Sequence, residues 1–191
     1  KSIIKKILKI TKNNPTRILD YGCGYGSYMF AAKNLNFEIF GYDINENFTK
    51  NLSEYFETFK SELDLLNSNN LEKFDLIFCR KVLTLSSDIY GDLNNFNKLL
   101  STNGYLVIMD HVKNFSKYKS IITQNNNNTL LLTIQTLEFY ANYFKLNTKY
   151  IQNDFGDIFI IFERNSKNFS SNKISIKTLR NFEKISFIFL F

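Results

Sequence analysis

The chain has 191 residues, 44% hydrophobic and 16% aromatic, which suits one folded domain and excludes a disordered chain. Its formal charge of +6 comes from basic residues spread without a dense run, so it reflects Lys-rich composition more than a nucleic-acid face. Two cysteines (Cys23 and Cys79) and one histidine (His111) exclude a disulfide framework and a zinc or His-rich metal site, and fit a reducing, cytoplasmic location.

Residues Ser2 to Lys12 place Ile3, Ile4, Ile7 and Leu8 at helical spacing with lysines between them. This predicts an amphipathic helix packed on the sheet that follows. The segment lacks the apolar core and cleavage site of a secretory signal, and no later run is long enough to span a bilayer. The chain begins at Lys1 without Met, which is compatible with further residues upstream. Asn13-Asn14-Pro15 ends the helix.

Arg17 to Tyr21 reads as a short buried strand and Gly22 to Gly26 as a turn. A helix follows over Tyr28 to Asn36 and a second strand over Phe37 to Ile44. The pattern then predicts a helix over Asn47 to Phe59 and a weak third strand over Ser61 to Leu65. Phe74 to Arg80 is a strongly apolar fourth strand, Asp88 to Leu100 is helical, and Tyr105 to His111 is a fifth strand. Val112 to Asn147 contains a polar Asn125–Asn128 tract and an apolar helix over Leu130 to Phe144; a variable connection of this kind suits a substrate lid. Lys149 to Asp154 and Ile158 to Glu163 form an antiparallel hairpin turned at Phe155-Gly156-Asp157. Strands alternating with helices imply a parallel sheet covered on both faces. The expected organisation is one domain over residues 1–165 and an extension of unknown role over 166–191.

Chemistry concentrates where the first strand ends. In an open parallel sheet, ligands bind beyond the carboxyl ends of the strands. There Gly22 and Gly24 permit a tight turn and close approach to bare backbone. The helix starting near Gly26 offers free N–H groups to a carboxylate or phosphate. Asp43, at the end of the second strand, is placed to accept both hydroxyls of a ribose; a helix N-cap role is compatible with the same position. Asp20 precedes the first glycine by two residues. A carboxylate there repels a pyrophosphate and welcomes an ammonium or sulfonium. The spacing G-x-G-x-G also departs from the G-x-G-x-x-G of a nicotinamide site.

Ile18-Leu-Asp-Tyr-Gly-Cys-Gly-Tyr-Gly26 resembles the first motif of class I S-adenosylmethionine-dependent methyltransferases. Phe40-Gly-Tyr-Asp43 is similar to their second, Phe74-Asp-Leu-Ile-Phe-Cys-Arg80 to the strand-four motif, and Gly104-Tyr-Leu-Val-Ile-Met109 to the strand-five motif. The resemblance covers roughly residues 15 to 165. It implies a Rossmann-like α/β fold: a seven-stranded, mostly parallel sheet with an antiparallel last strand and helices on both faces. It further implies S-adenosylmethionine as cofactor and S-adenosylhomocysteine as product. Asp20, Gly22 and Gly24, with Tyr21, would surround the methionine part. Asp43, with Ile44 beside it, would take the ribose. Asp64 and Leu65, after the expected third strand, would meet the adenine, and the backbone at Cys79 and Arg80 the methionine amino group.

His111 follows strand five at the reactive edge and is the candidate general base, since imidazole can take a proton near neutral pH. Asp110 is its neighbour, and adjacent strand residues point to opposite faces, so one of the two is expected to point away. Arg80 could anchor an anionic substrate through bidentate contacts. Tyr21, Tyr25 and Tyr28 surround the glycine loop and could cover a ligand or simply pack; Cys23 reads as filler. The only proline is Pro15, so the Pro-Pro-aromatic and Pro-Cys motifs of DNA-amino and cytosine-C5 methyltransferases are absent. The expected reaction is therefore methyl transfer to an O or N atom of a small molecule, with a sugar or surface-glycan precursor as one candidate. Rival readings are an RNA methyltransferase, a nicotinamide-dependent oxidoreductase and a non-catalytic protein that keeps the fold. No nucleic-acid partner and no membrane span are expected, and the oligomeric state is left open.

Overall fold

The computed structural model describes residues 2–12, 14–35, 37–67, 73–111, 134–154 and 157–164. Helices α1 (Ser2–Thr11), α2 (Ser27–Ala32), α3 (Glu46–Leu52), α4 (Glu62–Asn67), α5 (Ile89–Leu99) and α6 (Ile134–Tyr143) alternate with seven strands. The strands are β1 (Arg17–Tyr21), β2 (Glu38–Tyr42), β3 (Glu57–Phe59), β4 (Phe74–Arg80), β5 (Leu100–His111), β6 (Leu146–Asp154) and β7 (Asp157–Arg164). They form one sheet in the order β3-β2-β1-β4-β5-β7-β6. Pairing is parallel from β3 to β5, and β7 runs antiparallel between β5 and β6. This is the expected architecture, with the hairpin as its antiparallel element. Its turn residues 155–156 lie outside the described residues.

Strand alternation divides the core between two helical layers. Leu19, Phe40, Ile77, Leu106 and Phe162 face α5 and α6 on one side. Ile18, Leu76, Val107 and Ile161 meet Ile7 of α1 on the other. Met29 and Ala32 of α2 and Leu52 of α3 extend that second side with Ile4. The basic amphipathic α1 therefore packs on the sheet, with Ile4 and Ile7 buried. Among the described residues no helix is long and apolar enough to cross a membrane.

Two element assignments are corrected. The helix expected over Asn47 to Phe59 ends at Leu52, and its last residues, Glu57–Phe59, are the true third strand, paired to β2. Ser61 to Leu65 is not a strand: it opens α4, because the Ser61 hydroxyl accepts the Asp64 N–H at 3.1 Å and starts a helix. A three-residue edge strand carries too little alternation to be read, whereas a Ser-x-x-Asp capping pattern was available. Smaller shifts fall at ends: β5 begins at Leu100, β6 at Leu146, and the helix after Gly26 closes in a 3-10 turn, Lys33–Leu35. The Asn125–Asn128 tract, the proposed lid up to residue 133 and the extension 166–191 lie outside the described residues.

Candidate functional site

β1 delivers the chain to its carboxyl edge at Tyr21, and the loop turns there at Gly22, φ 79°. The N–H groups of Gly22 and Cys23 donate to Tyr42 O at 2.7 and 2.9 Å, tying the loop to the end of β2. A Cβ on Gly22 would stand 2.2 Å from Val82 Cγ2, so glycine is needed for both its backbone angle and its contact. Gly24, φ 50°, differs: nothing lies within 4 Å of where its Cβ would be. Its bare backbone faces open space.

Asp43 clamps this loop. Its Oδ2 accepts the Gly24 N–H at 2.9 Å and its Oδ1 accepts the Asn45 N–H at 2.9 Å. Helix α3 is capped by Asn45, whose side chain accepts the Asn47 N–H at 3.1 Å. The N-cap role weighed for Asp43 thus belongs to Asn45. Asp43 is buried, yet each carboxylate oxygen keeps acceptor capacity beyond its one N–H.

A cavity of about 530 Å³ opens beside this clamp, between the ends of β1, β2 and β4 and the start of α5. It brings together Tyr21, Gly22, Asp43, Ile44 and Arg80. Ile44 is 84% exposed and offers an apolar surface at the cavity's edge. Glu62, Asp88, Asp92 and Asn95 line it as well, with Lys81, Val82 and Leu85 from the loop after β4. None of these seven was identified from sequence. Glu62 follows the short strand that was misplaced, Asp88, Asp92 and Asn95 depend on how α5 lies across the sheet, and Lys81, Val82 and Leu85 on the bend of the loop after β4.

Tyr21 forms the floor. Its hydroxyl donates to Glu62 Oε1 at 2.5 Å and lies 3.4 Å from Asp92 Oδ1. A phenol has one proton, so it serves one carboxylate at a time. Burial, then the Glu62 bond and the Asp92 charge, hold the Tyr21 phenol far above its usual range. Burial first, and the nearby Glu62 and Asp88 charges, push the Asp92 carboxyl up. The floor is anionic and suits a ligand that brings positive charge or N–H donors.

Asp20 is not among the cavity's lining residues. It projects from the opposite face of β1, into a small apolar pocket of about 30 Å³ with Ile4, Ile7, Tyr28 and Phe78. Its Oδ2 is buried and without a hydrogen-bond partner. Burial, then the Asp43 charge, raise its pKa from 3.8 to about 7, with Arg80 pulling it down. Burial likewise pushes the Cys23 thiol up to about 12, which agrees with a filler role.

The remaining expected residues stand apart. Asp64 lies within α4 and is exposed; Leu65, 1% exposed, belongs to the core, and neither lines the cavity. The Cys79 side chain is fully buried beneath the site. His111 ends β5 with its side chain 57% exposed and Nδ1 paired with Asp157 of β7. It is not among the residues that line the cavity. Asp110 points inward, as alternation required, and accepts Thr84 Oγ1 at 2.8 Å. Tyr28 packs on Phe78 at 4.6 Å between centroids, and Tyr25, largely exposed, packs on Phe48 at 4.7 Å.

With a glycine turn, a carboxylate at the end of the neighbouring strand and a cavity across them in place, relatives can be compared. A family profile described as a methyltransferase domain matches residues 12–163. The chain belongs to this methyltransferase domain family. A search of curated protein sequences finds no match. Among solved structures, this methyltransferase-family chain is similar to a SAM-dependent methyltransferase from Archaeoglobus fulgidus, with 19% identity over 98% of this chain and 86% of that one, TM-score 0.61. It is also similar to the N-methyltransferase NodS from Bradyrhizobium japonicum, with 15% identity over 86% and 96%, TM-score 0.59. TehB from Haemophilus influenzae gives 14% identity and TM-score 0.64 over 86% of this chain, which spans only 62% of TehB. At these identities the likeness establishes the shared fold.

Proposed function

We propose that this chain transfers a methyl group from S-adenosylmethionine to an oxygen or nitrogen atom of a small molecule and releases S-adenosylhomocysteine. The observation that carries the reading is Asp43: a buried carboxylate at the end of β2, clamped to the glycine loop and facing the cavity with spare acceptor capacity. The other residues fit the same cofactor. Gly24 leaves backbone open to a ligand, and the carboxylates of Glu62 and Asp92 favour N–H donors and positive charge. The exposed face of Ile44 suits a flat ring. Asp43 would hold the ribose, with Ile44, Glu62 and Tyr21 toward the adenine.

When bound, S-adenosylmethionine supplies an electrophilic methyl carbon on a sulfonium, so the leaving group is already good. The chain's contribution is alignment and charge. Asp43 fixes the glycine loop and would orient a diol by accepting hydrogen bonds from its hydroxyls. The loop after β4 is held by Thr84 on Asp110 and by Val82 on Gly22, and closes the cavity beside it. Such positioning can contribute about 7–11 kcal/mol to a displacement. The carboxylate wall favours a bound cation in a site partly withdrawn from water.

Calorimetric titration tests this directly, with S-adenosylmethionine, S-adenosylhomocysteine and NAD as separate ligands. Saturable binding of the first two and none of NAD is the expected result. Binding of NAD alone would overturn the proposal in favour of an oxidoreductase, and binding of none would leave a non-catalytic protein.

A further inference from the structure

The end of β4 and the loop that leaves it carry two adjacent cations whose side chains the cofactor reading leaves without work. Arg80 and Lys81 both line the cavity and are both exposed. Among the described residues neither forms an ion pair, although Asp43, Glu62, Asp88 and Asp92 line the same cavity. The fold sets the placement of both through packing and the bend of the chain.

The means of that imposition are visible. The Arg80 guanidinium lies over the Tyr28 ring, 5.4 Å from its centroid, and Tyr28 is itself braced on Phe78. Stacking of this kind occupies the face of the guanidinium and leaves its N–H edge for a planar anion. Lys81 has φ 55°, a left-handed angle that strains a non-glycine residue. The bend is nevertheless held: the Lys81 N–H donates to Met109 O at 2.8 Å, Leu85 N–H to Val82 O at 2.9 Å, and Thr84 is fixed to Asp110. Val82 is seated on Gly22, so the two cations stand beside the glycine loop. Asp20 lies in the pocket that Tyr28 lines and is close enough to feel Arg80, but among the described residues it forms no ion pair with it.

We infer that Arg80 and Lys81 form an anion-binding edge of the cavity, built to hold a carboxylate or phosphate group of a bound molecule. The anion has two sources that share this chemistry: the amino-acid carboxylate of the cofactor, or an acidic group on the methyl acceptor. The second would make the acceptor an anionic small molecule, which rests on the methyl-transfer reading. The binding edge itself does not.

Inorganic phosphate is the probe. It is titrated calorimetrically at constant ionic strength into the wild-type chain and into Arg80→Gln, Lys81→Asn and Lys9→Gln, the last an exposed cation on α1 far from the cavity. Asn is chosen at position 81 because it tolerates a left-handed angle. Saturable 1:1 binding weakened about tenfold in each of the first two variants and unchanged in Lys9→Gln is the expected result, the size of a lost charge-assisted bond. Absence of saturable binding in the wild type, or equal weakening in Lys9→Gln, overturns the inference. A second arm compares S-adenosylhomocysteine with 5′-methylthioadenosine, which lacks the amino-acid portion. Weakening of the first alone in Arg80→Gln assigns the edge to the cofactor's carboxylate; no change in either, with phosphate binding lost, assigns it to the acceptor. Failure of S-adenosylhomocysteine to bind the wild type sinks the methyl-donor reading while the phosphate titration still reports on the edge.

Discussion

At the scale of single residues, Asp43 carries two duties through one carboxylate. Its bonds to the Gly24 and Asn45 N–H groups hold the loop, and on the proposed reading its remaining acceptor capacity would meet the ribose. Asp43→Ala removes both, so S-adenosylmethionine affinity should fall at least about tenfold, the size of one charge-assisted bond. Unchanged affinity by calorimetry would reject the ribose role. The two neighbouring glycines separate stability from binding. Gly22→Ala meets Val82 and a left-handed backbone together, whereas Gly24→Ala meets only the backbone cost of about 1–2 kcal/mol. Chemical denaturation should rank Gly22→Ala as the less stable of the two. Gly24→Ala should retain most of its stability and lose cofactor affinity, because its new methyl fills the open space a ligand needs. The reverse ranking would mean that the loop's glycines are interchangeable turn residues.

At the scale of elements, β7 is the strand on which the family's antiparallel signature rests. It is buried on both faces between β5 and β6, with Ile158 to Phe162 all in the core. Phe162→Ala should cost about 3–5 kcal/mol in urea denaturation, the range for a large aromatic truncated in a packed core. A loss below about 1 kcal/mol would show that the hairpin is loosely attached. The same pairing places His111 opposite Asp157 at the rim rather than in the cavity. Its replacement by alanine is therefore expected to change turnover by less than about tenfold, below the usual general-base contribution. A hundredfold drop in kcat would restore His111 as the base. Periodicity located β1, β2, β4, β5 and the hairpin because each alternates or runs apolar over five residues or more. It missed β3, where three residues at the sheet edge carry no pattern, and that error drew the expectation to Asp64 and Leu65, which do not line the cavity, and away from Glu62, which does.

At the scale of the whole molecule, the sheet separates two acids that the sequence placed together. Asp43 faces the cavity and Asp20 the apolar layer under α1 and α2. Burial raises the Asp20 pKa from 3.8 to about 7, so the folded chain keeps a proton that the unfolded chain releases near 3.8. Between those values the native state binds more protons, and stability falls as pH rises, levelling off above about 7. Asp92, also raised, acts in the same direction. Asp75 and Glu163 are held low by their hydrogen bonds; their contribution is lost instead on acidification below the ordinary carboxylate range. The stability difference between Asp20→Asn and wild type, measured by denaturation at pH 5 and pH 8, should therefore shift in favour of the variant at pH 8. A ceiling of roughly 3 kcal/mol follows from about two pH units between pH 5 and the folded pKa of about 7. Parallel behaviour at both pH values would show that Asp20 titrates normally.

The sequence by itself determined the alternation of strands and helices that makes a parallel sheet, the glycine turn, the carboxylate at the end of β2 and the antiparallel hairpin. Each is set by local causes: side-chain alternation, backbone freedom at glycine and turn chemistry. Only the tertiary structure decided which acids share a cavity. Residues adjacent in sequence on a strand point to opposite faces, so Asp20 and Tyr21 part company across the sheet. Glu62, Asp92 and Lys81, distant along the chain, meet because α4, α5 and the loop after β4 close over one edge. Such a meeting leaves no mark on any single stretch of sequence, since it depends on packing between elements rather than on the propensity of any one of them.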